Sequence, residues 1–127
     1  YRAGIRAKPD FVEGRYHLGL ALAAAGRLDE AITELQEVVR RQPDSYKIRN
    51  NLGVVLFTAG RLPEAIAEFE KTLELQPDFV EAHFGLGVLL YEQPARRAEA
   101  DRHLDTALRL RPDWIVARRH IERLRGK

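Results

Sequence analysis

The feature that most constrains this chain is a pattern written three times. From Leu52 to Asp78 it reads LGVVLFTAGRLPEAIAEFEKTLELQPD: an apolar run, a glycine, an amphipathic run and a Pro-Asp break. Leu18 to Asp44, LGLALAAAGRLDEAITELQEVVRRQPD, says the same, and Leu86 to Asp113 says it with one residue inserted. Pro-Asp pairs begin at Pro9, Pro43, Pro77 and Pro112, in steps of 34, 34 and 35 residues. Leu-Gly recurs at Leu18, Leu52 and Leu86, and Glu-Ala at Glu30, Glu64 and Glu99, in the same phase. A period of this size marks a stack of helical units, none of which can bury its apolar face alone, so that about three are needed for a continuous core.

The unit itself reads as two helices. In the first copy, the first helix spans about Val12 to Ala25 and stops at Gly26, which adopts positive φ without a Cβ clash. The second spans about Asp29 to Gln42, with Ala31, Ile32, Leu35, Val38 and Val39 forming one apolar stripe at the helical period. Pro43 ends it, having no N–H and biasing its predecessor away from helix. The second copy has Gly60 as its stop and Pro63 in the first turn of its second helix, where the missing N–H does no harm. Asp10, Asp44, Asp78 and Asp113 stand where a carboxylate would cap the next helix. Gly19, Gly53 and Gly87 fall in mid-helix, where glycine costs about 1 kcal/mol against alanine, so a second-helix Leu or aromatic is expected to approach that backbone closely. The third copy departs: in YEQPARRAEA, Pro94 replaces the glycine stop, and a longer or kinked turn is expected. After Pro112 a last helix, Trp114 to Arg125, offers Ile115, Ala117, Ile121 and Leu124 for packing and carries Arg118, Arg119, Arg123 and Arg125 on its other side.

These residues resemble the tetratricopeptide repeat family, in the style of the repeats of O-GlcNAc transferase-like and bacterial scaffold proteins. The match runs through Leu18, Gly19, Leu22, Ala31, Leu35, Val38 and Pro43, with Leu52, Gly53, Leu56, Ala65, Phe69, Thr72 and Pro77 as the second set. Leu86, Gly87, Leu90, Ala100, Leu104, Ala107 and Pro112 supply the third, while the family's first bulky position, often Trp, is Arg15, Arg49 and His83. The resemblance implies an all-α fold: a right-handed superhelix (solenoid) of antiparallel helix pairs, about three repeats and a capping helix, in one domain. Expected divisions are 1–11 as the end of a preceding repeat, 12–45, 46–79 and 80–114 as repeats, and 115–127 as the cap. Residues Tyr1 to Lys8 align with the end of a second helix, which suggests a piece of a longer array.

Composition bounds the chemistry. The 127 residues contain no Cys, so disulfides, thiolate catalysis and Cys-based metal sites are excluded. His17, His83, His103 and His120 lack metal-ligand spacing, and neither a phosphate loop nor a nucleophile elbow occurs, so neither metal, cofactor nor enzymatic activity is expected. No apolar run reaches the ~18 residues of a membrane span. Net charge is only +2, against a purely electrostatic nucleic-acid binder. From Arg96 onward, however, ten Lys/Arg stand against five Asp/Glu, with Arg118, Arg119 and Arg123 at a basic end that could meet RNA, an acidic partner or membrane headgroups, or simply be a solvated face.

The resemblance places a groove on the first helices of the repeats, which would hold a peptide or helix of a partner protein. Its expected lining is Glu13, Tyr16, His17 and Leu20 from the first copy, Lys47, Asn50, Asn51, Val54 and Phe57 from the second, and Phe84, Val88 and Tyr91 from the third. The carboxylate clamp of one family branch is absent, since its nearest positions carry Tyr16, Leu20, Phe84 and Val88. Asn51, preceding Leu52-Gly53, matches an Asn that holds peptide backbone in O-GlcNAc transferases, but His17 and Gly85 stand at the equivalent places. Some of these side chains could instead pack against a neighbouring repeat. The expected function is a protein-interaction scaffold, with a structural spacer or end-to-end self-assembly unit, and RNA or acidic-partner binding at the basic end, as alternatives.

Overall fold

The computed structural model describes residues 11–126. The first expected division, with Asp10 as a cap, lies outside them. Among the described residues seven α-helices follow in order: α1 (Phe11–Ala24), α2 (Leu28–Arg41), α3 (Tyr46–Thr58), α4 (Leu62–Leu75), α5 (Val80–Tyr91), α6 (Arg97–Leu110) and α7 (Ile115–Arg125), with a 3-10 turn, Pro94–Arg96, before α6. The helices pair α1 with α2, α3 with α4 and α5 with α6, each pair then packs on the next, and α7 lies on α5 and α6. The result is an all-α solenoid of antiparallel pairs.

Local chemistry explains the boundaries. Gly26 and Gly60 adopt φ of 83° and 80°, the left-handed turn that stops α1 and α3. In the third pair the chain leaves α5 through Glu92 and takes the 3-10 turn over Pro94, as the substituted glycine led one to expect. The expected Asp caps are corrected: α3, α5 and α7 start after Ser45, Phe79 and Trp114, one residue beyond Asp44, Asp78 and Asp113, and no side-chain capping bond forms. Backbone closes these turns instead, with Ser45, Phe79 and Trp114 donating N–H to the carbonyls of Gln42, Gln76 and Arg111.

The core follows the stripes. Ala31, Ile32, Leu35, Val38 and Val39 of α2 are all buried, and so are Leu52 and Leu56 of α3. The mid-helix glycines are explained by contact. A Cβ on Gly53 would lie 2.9 Å from the Phe69 ring, one on Gly19 2.9 Å from Leu35, and one on Gly87 2.6 Å from Leu104. Gly85 was not expected in this role, yet its Cβ would also meet Phe69 at 2.9 Å, so that ring sits between two glycine backbones on successive pairs. In α7, Ala117, Ile121 and Leu124 are buried as expected, but Ile115 is 58% exposed and is withdrawn from the packing set.

Candidate interaction surface

The first helices carry a recurring bracket at the position where the family's bulky residue stands. Arg49 donates from Nε to the Pro43 carbonyl (2.8 Å) and from Nη1 to Glu68 of α4 (3.1 Å), tying the preceding turn to the pair. Arg15 makes the same cross-helix bond to Glu34 (3.1 Å). In the third pair His83 Nε2 meets the Pro77 carbonyl at 2.7 Å, and its Nδ1 meets His103 Nδ1 of α6 at 3.0 Å. Arg118 of α7 donates to the Pro112 carbonyl. The sequence signal was available, since these residues share the 34-residue phase. Their polarity concealed that a guanidinium stem and two hydrogen bonds can fill an aromatic's place.

With that frame fixed, the expected groove residues divide by burial and neighbours. Glu13, His17 and Lys47 are exposed. Tyr16, Leu20 and Asn51 are half-buried, and Asn51 Nδ2 donates to the Tyr16 hydroxyl, joining α1 to α3. That bond uses part of the amide expected to hold backbone. Asn50 is buried, 6% exposed, with its Oδ1 unpartnered, so it does not line an open surface. Phe84, Val88 and Tyr91 are half-buried against the cluster of Leu104, Ile121 and Leu124. Phe84 lies 5.1 Å from the Trp114 ring and 5.7 Å from that of His120. Arg97 stacks 4.4 Å over the Tyr91 ring. The capping helix therefore covers much of the third copy's expected surface.

Val54 and Phe57 remain open, 46% and 45% exposed, and Leu62 at the start of α4, which the sequence reading did not single out, joins them at 42%. Beside them is a cleft of about 360 Å³ between the ends of α3 and α5, the start of α4 and one side of α7. Phe57, Leu62, Ile66 and Val88 give it apolar walls, while Glu92 lines it from the α5 end and His120 and Leu124 from α7. An apolar depression with a few polar groups at its edge suits an anchoring side chain of a partner.

The basic end is more neutral than its composition. Arg96 is paired with Glu70 and Glu99, Arg111 with Glu81, and Arg125 with both Asp101 and Asp105. The Glu99 and Glu70 carboxylates raise the Arg96 pKa. Of the three arginines expected to form the basic surface, Arg118 is directed to its backbone acceptor; Arg119 and Arg123 are exposed and make no ion pair among the described residues. Among those residues no cluster of three or more His, Asp or Glu is arranged for a metal, and no helix is long and apolar enough to cross a membrane.

Comparison with known proteins agrees with this geometry. The tetratricopeptide repeat model matches residues 1–45, 16–78 and 50–113. No curated protein matches. Among solved structures, a mutant of MamA is 33% identical with a TM-score of 0.72, over 84% of this chain and 77% of that one. YrrB, described as a TPR protein with an unusual peptide-binding site, is 27% identical with a TM-score of 0.78, over 87% of this chain and 57% of its own. The first TPR of Spaghetti, solved bound to an HSP90 peptide, shares the fold at a TM-score of 0.83 and 16% identity, with 94% of each chain covered. The chain thus spans less than two thirds of YrrB, as it does of a second MamA structure, at 61%.

Proposed function

Because the chain belongs to the tetratricopeptide repeat family, we propose that it is a non-catalytic protein-interaction scaffold that holds a peptide or helix of a partner protein on the face of its first helices. The observation that carries this reading is the open apolar patch of Val54, Phe57 and Leu62 beside a cleft, in a chain whose other large apolar side chains are mostly buried. Binding centres on α3 and the cleft that Val88 helps to wall, with Tyr16, Leu20, His17, Lys47 and Asn51 as flanking contacts, while Phe84 acts mainly as the floor beneath α7. Peptide binding by YrrB and by the Spaghetti domain gives precedents for the fold carrying this work.

End-to-end stacking through α7 has less behind it. At the places where α5 carries Gly87 and Leu90 to receive α6, α7 carries Glu122 and Arg125, and Arg125 is already bonded to α6. A second helix packed as α6 packs on α5 would bury both charges, at a cost of several kcal/mol each when unpaired.

The test is capture of binding partners by the wild-type chain beside Val54→Glu and Phe57→Glu variants, each checked by circular dichroism. Both residues are exposed, so helicity should persist while a groove-bound partner is lost. Equal capture by all three would move the site away from the groove.

A further inference from the structure

We infer that the cleft beside Phe57 reads a partner segment that is both apolar and acidic: an aliphatic or aromatic anchor against Phe57 and Leu62, with carboxylates next to it on Arg119 and Arg123 of α7. This rests on the groove reading above and adds the chemistry and direction of the ligand.

The argument is one of charge placed beside apolar surface. His120 lines the cleft, and Arg123 Nη2 lies 3.4 Å from its Nδ1, which puts a guanidinium at the cleft edge. Arg119 is one turn away from Arg123, at i and i+4, so the two cations share a side of α7. Arg96, Arg111 and Arg125 are neutralised by carboxylates and Arg97 and Arg118 are directed to backbone, whereas Arg119 and Arg123, on the helix that borders the cleft, have no carboxylate partner among the described residues. A guanidinium fork suits a carboxylate, which it can hold by two parallel charge-assisted bonds. The cleft is also polar in a second sense, because Glu92 enters from the α5 end. An acidic residue of the ligand is favoured towards α7 and repelled towards α5, so the segment has one preferred orientation. RNA is the weaker fit: the Trp114 ring is engaged with Phe84 and Arg111, and among the described residues Phe57 alone offers an exposed aromatic ring in the cleft, short of the successive platforms that stack bases.

The test is an array of short peptides with amidated C-termini, each holding a central Leu or Phe flanked by Glu, Gln or Lys at every neighbouring position. The full chain is applied with and without Arg119→Glu/Arg123→Glu, with Glu92→Lys and with Phe57→Glu. The wild type should select Glu on one side of the anchor, and the double reversal should weaken those peptides about tenfold and turn the selection to Lys. Glu92→Lys should admit Glu on the other side. Peptides bound through the anchor with no charge preference, or a preference unmoved by the reversal, would overturn the acidic reading and leave the groove standing. Binding unaffected by Phe57→Glu, or absent altogether, would sink the groove reading and this one together. Displacement of bound peptide by oligouridylate, without any selection among the peptides, would assign the two arginines to nucleic acid and overturn the inference as well.

Discussion

Where α3 crosses α4, Arg49 reaches from the Pro43 carbonyl to Glu68; where α5 crosses α6, His83 reaches from the Pro77 carbonyl to His103. The second pair packs Phe69 between Gly53 and Gly85, the third packs a smaller Leu104 on Gly87. The second turns on one left-handed glycine, the third on a 3-10 turn with Arg97 donating to the Tyr91 carbonyl. The same backbone is thus held by permanent charge and a large ring in one pair, and by titratable rings and a smaller side chain in the next. The second pair should be insensitive to pH near neutrality and the third sensitive to it, while neither has room for added volume at its mid-helix glycine, where a Cβ would lie 2.9 Å from Phe69 on Gly53 and 2.6 Å from Leu104 on Gly87.

The largest test of that contrast is at Phe69. Phe69→Ala should cost about 3–5 kcal/mol in urea denaturation, because the ring is 2% exposed and fills the space between two pairs. Gly85→Ala should cost about 1–3 kcal/mol by overpacking in the wild type, and much less beside Phe69→Leu. Additivity in that double-mutant cycle would show that the glycine is not there for the ring. Next is the ion pair: Glu68→Gln should cost about 1–3 kcal/mol, since the Arg49 and Glu68 side chains are only 15% and 20% exposed. A cost indistinguishable from that of an exposed pair would make the bracket incidental. Smaller again, Gly60→Ala should cost roughly 1 kcal/mol for its left-handed φ, whereas Pro94→Ala should cost little, having no positive φ to lose.

Much of this contrast was legible from sequence, and the failures are instructive. Gly26, Gly60 and Pro94 announced their turns because each fixes local backbone geometry by its own covalent structure. The α2 stripe announced burial because five apolar residues share one helical face. Capping failed for Asp44, Asp78 and Asp113 because a one-residue shift of helix start is invisible to pattern, and it moves the carboxylate out of reach. The site was harder. Val54 and Phe57 share their phase with Val88 and Tyr91, and period alone treats them as equivalent; α7 covers Val88 and Tyr91 and leaves Val54 and Phe57 open. Asn51 looked like a ligand contact, yet Tyr16 one repeat earlier takes up its amide. The neutralised basic end has the same origin, because Glu70, Glu81, Asp101 and Asp105 reach it from other helices.

The smallest effect at neutral pH belongs to His83 and His103, and its sign can be worked out. A carbonyl can only accept, so the 2.7 Å contact with Pro77 puts a proton on His83 Nε2 and leaves Nδ1 of the neutral ring as an acceptor. His103 must then donate from Nδ1, and its own Nε2 faces Glu99 at 3.8 Å. Burial, first, and then the neighbouring His83 lower the His103 pKa; Glu99 opposes this and Arg102 adds to it. A depressed folded pKa means that the unfolded chain binds the proton more readily. Stability should therefore be full above pH ~6.5, the unfolded value, and decline as pH falls from there to the folded value. Exchanging the pair for its second-repeat equivalent, His83→Arg with His103→Glu, should remove this limb and defer acid loss to the carboxylate range. Urea midpoints measured on both sides of pH ~6.5 decide the matter. Parallel pH profiles for the two proteins would mean that the imidazole contact adds nothing to the stability of the third pair.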